Sequence, residues 1–137
     1  MWKTFLSGMN PLFMDPYDGV VLGERFDPRW EPVRRSMGYT LAYARRMNLA
    51  AMRPLPELSS TKYCLASPGH EYLVYLPSGG AVVVDLSEAS GELAVEWFVP
   101  ATGITRAAET TPGGHGVEFT APFSGPAVLY LRRSAER

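Results

Sequence analysis

From Ser59 onward, turn residues punctuate the chain every eight to twelve positions, and between them apolar and polar side chains alternate. That grammar fits few folds. The first run, "TKYCLAS" over 61–67, ends at Pro68 and Gly69, and "EYLVYLP" over 71–77 ends at Ser78, Gly79 and Gly80. "AVVVDLS" runs into Glu88 to Gly91, and "ELAVEWFVP" stops at Ala101, Thr102 and Gly103. "ITRAAE" is closed by Pro112 to Gly114 and "VEFTAPF" by Ser124 to Pro126, leaving "AVLYLRR" as the last run. Seven short strands joined by tight loops predict a mainly β chain, an antiparallel β-sandwich of the jelly-roll or immunoglobulin-like kind.

Because strand side chains alternate between faces, the same runs say what points inward. In the fourth run Leu93, Val95, Trp97 and Val99 share one face, while Glu92, Ala94, Glu96 and Phe98 share the other, expected to meet solvent. Val82, Val84 and Leu86, then Val117, Phe119 and Ala121, then Ala127, Leu129 and Leu131 complete the interior by the same count. Trp97, Val95, Phe119 and Leu129 are thus the expected structural core. Removing the Trp97 indole from so small a domain should cost about 3–5 kcal/mol.

Residues 1–58 read differently. Six prolines interrupt them, and one stretch, 32–52, is long enough for a helix, with Pro32 suited to its first turn and Pro54 beyond its end. Val33, Met37, Leu41, Ala44 and Met47 recur at helical spacing, and Tyr39 and Tyr43 broaden that apolar stripe. An amphipathic helix of this kind must pack on something. Ahead of it, "FLSGMNPLFMDPYDG" reads as a short hydrophobic strand with a loop behind it, so the sandwich is preceded by a short strand and loop and one amphipathic α-helix.

Composition excludes several classes of function. A chain of 137 residues with 46% hydrophobic and 20% charged residues is an ordinary globular one. Its net charge of −1 gives no electrostatic reason to expect nucleic acid. The split into 8 basic and 6 acidic residues before position 61, and 5 and 8 after it, names no partner either. No apolar run is long enough to span a bilayer and no secretory leader is recognisable, so membrane association is not expected and the default location is cytoplasmic. Cys64, the single cysteine, cannot close an intrachain disulfide and reads as a small buried hydrophobe.

The residues that carry chemistry are sparse. Glu92 and Glu96 sit two pleats apart on one strand, with no second element to set the separation that glycoside hydrolysis requires of a carboxylate pair. His70 and His115 lie in separate glycine-rich turns, so no metal site and no cofactor are expected. Nucleophile-elbow, phosphate-loop and dinucleotide signatures are lacking. What remains is aromatic: Tyr72, Tyr75, Phe98, Phe123 and Tyr130 could stack on sugar rings, with Tyr75 and Phe98 the favoured surface positions, or could fill the core.

The order "NPLFMDPYDG", "RRSMGYTLAYARRMNLAAMRP", "LSSTKYCLASPGHEYLVYLPSGG", "VEWFVPATG" and "FTAPFSGPAVLYL" resembles the C-terminal region of apiosidase-like (β/α)8-barrel glycoside hydrolases. In that family the barrel is followed by a β-sandwich catalogued as a "putative collagen-binding domain of a collagenase". The resemblance implies two parts: 1–58 as the remnant of the last βα unit of a barrel, and 59–137 as the C-terminal sandwich. A complete member would carry roughly 300 further residues, a barrel's length, on the N-terminal side. A chain beginning inside the last βα unit would then be a truncated gene, a misassigned start or half of a split enzyme.

On this resemblance Asp15 and Tyr17 stand at the end of the last barrel strand and could line a sugar subsite, without a partner carboxylate that would make Asp15 catalytic. The implied function is that of a non-catalytic accessory sandwich that stabilises a glycoside hydrolase barrel and binds carbohydrate. Two alternatives are a module for collagen or another matrix polymer, and a complete small glycosidase. The expected partners are polysaccharide or collagen. The apolar residues left over, Phe5, Leu6, Leu12, Phe13 and the helix stripe, call for self-association or a separately encoded barrel.

Overall fold

The computed structural model describes residues 1–11 and 31–134. Two helices, α1 (Trp2–Leu6) and α2 (Glu31–Arg46), precede the strands. These are β1 (Arg53–Pro54), β2 (Cys64–Ser67), β3 (Glu71–Leu76), β4 (Gly79–Asp85), β5 (Glu92–Val99), β6 (Ile104–Pro112), β7 (Gly116–Ser124) and β8 (Ala127–Arg133). Six strands form one sheet in the order β1-β2-β3-β8-β5-β6, and β4 and β7 form a second, smaller one. Every pairing is antiparallel. The seven expected strands are all present, and the two-residue β1 is added at the edge of the large sheet.

The inner core lies between the sheets. Leu93, Val95 and Trp97 of β5 meet Leu129 and Leu131 of β8, with Val82, Val84 and Phe119 of the small sheet closing over them. Trp97 is 3% exposed and meets the Phe123 ring edge-on, centroids 6.3 Å apart. The hairpin turn after β3 depends on Gly79: its φ is +68°, and a Cβ there would collide with the Gly125 carbonyl oxygen.

The outer face of the large sheet is not open to water. Leu65, Leu73, Phe98, Val128 and Tyr130 are buried there against Trp2, Phe5 and Leu6 of α1 and Tyr43 and Met47 of the α2 region. The reason is visible in β3 and β8, whose "EYLVYL" and "AVLYL" are apolar on both faces, the pattern of strands covered from two sides. Aromatic rings knit this layer: Tyr39 to Phe98 at 5.1 Å, Trp2 to Phe98 at 5.6 Å and Tyr43 to Tyr130 at 5.7 Å. Such pairs contribute about 0.5–1.5 kcal/mol each beyond area burial. The molecule therefore has three layers: small sheet, large sheet and helices.

Several expectations change. Phe5 and Leu6, expected in a strand, belong to a single helical turn that presents Trp2, Phe5 and Leu6 to the sheet. The long helix ends at Arg46, short of position 52, because the Asn48 backbone N–H donates to Glu71 Oε1 at 3.0 Å. A separate short turn covers Leu49–Ala51. The buried face of α2 and its exit is centred on Thr40, Tyr43 and Met47, about 65° round the helix from the centre of the expected stripe and toward its Tyr43 and Met47 side, so Leu41 on the far side is 49% exposed. Tyrosines explain the rotation: the Tyr39 and Tyr43 rings fill the aromatic layer, and the Tyr43 hydroxyl donates to Glu96. Among the described residues no helix is long and apolar enough to cross a membrane.

Candidate functional site

Strand β3 organises the helix-covered face, because Glu71, Leu73 and Tyr75 alternate onto it. Leu73 is fully buried beneath the helices, and the two ends of the strand reach separate clefts. At the Tyr75 end a cleft of about 420 Å3 is lined by Trp2, Lys3, Arg35, Ser36, Tyr75 and Pro100, among others. Tyr75 is half-buried and packs edge-on to Tyr63, centroids 6.1 Å apart. Lys3 Nζ lies 5.3 Å from the centre of the Tyr63 ring. Burial pushes the Tyr75 hydroxyl up from its ordinary value, while the Lys3 ammonium pulls it down, and the hydroxyl stays a protonated donor at neutral pH. A half-exposed tyrosine ring with Lys3, Arg35 and Ser36 in the same lining can stack an apolar face and hydrogen-bond its edge.

Phe98 does not share this surface. It is 4% exposed and is enclosed by Trp2, Tyr39 and Tyr43, so the expectation that it is a surface binding aromatic is corrected. The error came from treating the Glu92, Ala94, Glu96 and Phe98 face of β5 as solvent-facing, when the helices cover its Phe98 end. Tyr130 and Tyr72 are internal too: the Tyr130 hydroxyl donates to Glu71 Oε2 at 2.6 Å, and the Tyr72 hydroxyl accepts from the Gly69 N–H at 2.8 Å. Asp15 and Tyr17 lie outside the described residues, as do Leu12 and Phe13.

Glu96 is engaged in structure. Both its carboxylate oxygens accept from the Arg46 guanidinium, at 2.6 and 3.0 Å, and Oε2 also accepts from the Tyr43 hydroxyl at 2.8 Å. Glu92 is exposed on the same strand. The two carboxylates thus face different surroundings, and no acid/base pair is built from them. Burial raises the Cys64 thiol to about 12, with the Glu57 charge adding to it, which leaves the sulfur a neutral core atom.

At the Glu71 end lies a larger cleft of about 710 Å3. Sequence reading missed it, since its residues come from the α2 exit, the β2–β3 turn and the end of β8 and share no motif. The one available signal was Arg132 and Arg133 closing an otherwise apolar strand.

A sandwich whose large sheet carries a helical layer, with clefts at both ends of one central strand, defines a β-sandwich module with potential binding faces. Residues 56–128 match the family model described as "Putative collagen-binding domain of a collagenase", and the chain belongs to that family. No curated protein matches it. Among solved structures, a protein described as a glycoside hydrolase superposes with a TM-score of 0.68 at 15% identity, over 89% of this chain and 31% of its own. A glycoside hydrolase family 5 protein from Bacteroides vulgatus ATCC 8482 gives 0.65 at 16% identity, over 85% of this chain and 30% of its own. At such identities the likeness is one of fold, and the chain spans about a third of the length of the structures it matches.

Proposed function

We propose that this chain is the accessory β-sandwich of a glycoside hydrolase, seated against an apiosidase-like (β/α)8 barrel and offering the Tyr75 cleft to carbohydrate. The observation that carries the reading is the asymmetry of the structural matches: they take in 89% of this chain but 31% of the first glycoside hydrolase. A barrel partner also has a surface to use. Met37, Leu41 and Ala44 of α2, with Phe5, Pro11 and Leu49, line an apolar groove of about 450 Å3. In the proposed arrangement the groove takes the barrel, and the chain self-associates through it when no barrel is present.

The second reading, a module for collagen or a similar matrix polymer, is favoured by the description of the family. One experiment separates the two. The purified chain is incubated with insoluble plant and microbial polysaccharides and with triple-helical collagen, and the bound fraction is measured. Saturable retention on a polysaccharide, lost in Tyr75→Ala, supports the carbohydrate reading. Retention on collagen alone supports the second, and retention on neither removes the binding role and leaves the buttress.

A further inference from the structure

We propose that the cleft at the Glu71 end of β3 binds a uronic-acid unit of an acidic saccharide, with Arg132 as the cation that receives its carboxylate. This rests on the reading that the domain's ligand is a glycan, and it names the class of glycan. The cleft holds about 710 Å3, within the range of small-ligand sites.

Its lining is mainly polar, with two arginines against one carboxylate. Arg132, Arg133 and His70 line it with Ser67, Ser134 and Asn48, and no tyrosine, tryptophan or phenylalanine does. A neutral sugar binds protein largely by laying its apolar face on such a ring, and this cleft has none to give. It offers guanidinium, imidazole, hydroxyl and amide groups, which suit a carboxylate flanked by hydroxyls. The volume is far greater than a lone small anion fills, so the remaining polar groups have room to meet the rest of a sugar.

The one carboxylate in the lining already has partners on both oxygens. Glu71 is 9% exposed, its Oε1 accepts from the Asn48 N–H at 3.0 Å, and its Oε2 accepts from the Tyr130 hydroxyl at 2.6 Å. Its role is to fix the walls, tying the exit of α2 and strand β8 to β3. Arg132 stands directly across from Glu71 in the β3–β8 ladder, and its own side chain is exposed. The Arg133 N–H donates to the His70 carbonyl at 2.8 Å, and the Ser134 N–H to the Glu92 carbonyl at 3.1 Å, which holds the end of β8 in place. The cations therefore sit on a frame fixed from three sides rather than on a free loop.

The test is calorimetric titration of the whole chain with a short oligogalacturonate, its methyl-esterified counterpart and a neutral gluco-oligosaccharide. Binding of the acid is expected, with the ester and the Arg132→Gln variant each weaker by about tenfold or more. Tyr75→Ala should leave acid binding unchanged. Thermal melts of Arg132→Gln and of His70→Gln, both exposed positions, verify that the fold survives. Equal affinity for acid and ester, or for the wild type and Arg132→Gln, overturns the proposal. So does displacement of the oligomer by acetate or inorganic phosphate at matched ionic strength, which would make the cleft a general anion site. Binding of the neutral oligosaccharide alone sinks this inference and leaves the glycan reading standing, whereas no glycan binding together with collagen capture sinks both.

Discussion

Arg46 reaches from the last turn of α2 across to Glu96 in the middle of β5, and the two side chains meet through paired hydrogen bonds of 2.6 and 3.0 Å. The same guanidinium lies 4.9 Å above the Tyr130 ring and 5.3 Å from the centre of Tyr43. One cation thus spans the seam between helix and sheet. Because the Arg46 side chain is 45% exposed, water screens part of this attraction. Glu96→Gln should cost about 1 kcal/mol, a value between that of a surface pair and a buried charge-assisted bond. Urea denaturation of the variant beside Glu92→Gln, an exposed change on the same strand, measures it; equal loss in the two variants would refute a specific role for the seam.

The same pair sets an acid limb. Burial raises the Glu96 carboxyl, but the hydrogen bonds from Arg46 and Tyr43 and the Arg46 charge outweigh it, and the group ends below its ordinary value. A carboxyl depressed in the folded state contributes stability above its unfolded value of about 4.3 and loses it as pH falls through the lower folded value. The stability gap between wild type and Glu96→Gln should therefore be full at neutral pH and should close below about pH 4. Denaturation series at pH 7, 5 and 3 test this, and a gap that persists unchanged at pH 3 would contradict it.

Gly79 and Gly80 both have positive φ, +68° and +78°, yet they differ in surroundings. A Cβ on Gly79 runs into the Gly125 carbonyl oxygen, whereas one on Gly80 meets nothing within 4 Å. Gly80→Ala should then cost only the left-handed strain, about 1 kcal/mol, and Gly79→Ala at least twice that. The comparison is one of thermal unfolding midpoints. Equal losses would mean that the backbone yields at Gly125 and that the close approach carries no weight.

The core between the sheets was legible because the strands end at residues that turn the chain and alternation marks their inward side: Trp97, Val95, Phe119 and Leu129 all lie where it puts them. The outer layer was not. Phe98 alternates to the face that Glu92 and Glu96 mark as polar, and only the unbroken apolar runs of β3 and β8 hinted that something covers it. The helix stripe was legible only in part, with Tyr43 and Met47 buried as expected and Leu41 exposed. Val33, Met37 and Leu41 are the more hydrophobic residues, but Tyr39 and Tyr43 supply rings for Phe98 and a hydroxyl for Glu96, and those contacts set the rotation. The Glu71 cleft joins three separated segments, a juxtaposition that spacing along one chain does not encode.

Cys64 is 1% exposed and its thiol is raised to about 12. Thiolate is the reactive form, so alkylation of the native chain at pH 8 should be slower than that of a free thiol by orders of magnitude. Adding denaturant should restore the ordinary rate. Rapid labelling of the folded protein, read by mass spectrometry, would mean that the β1–β2 end of the sheet opens locally.

The helices and the sandwich share one aromatic cluster, and this leads to a prediction about where the unit can be cut. Removing residues 1–52 would strip Trp2, Phe5, Leu6, Tyr43 and Met47 from the sheet and expose Leu65, Leu73, Phe98, Val128 and Tyr130 together. A contiguous apolar patch of that kind on one sheet face favours association. Glu71 would lose the Asn48 N–H and Glu96 the Arg46 guanidinium, so two carboxylates would be left with fewer partners. The fragment 53–137 is therefore expected to aggregate or to lose its near-ultraviolet circular dichroism, while the full chain keeps it. The variant Phe98→Ser with Leu73→Ser in the fragment should recover solubility if the exposed face is the cause. A fragment that is monomeric and cooperatively folded without those changes would show that the helical layer is separable from the sandwich and belongs with whatever lies on its other side.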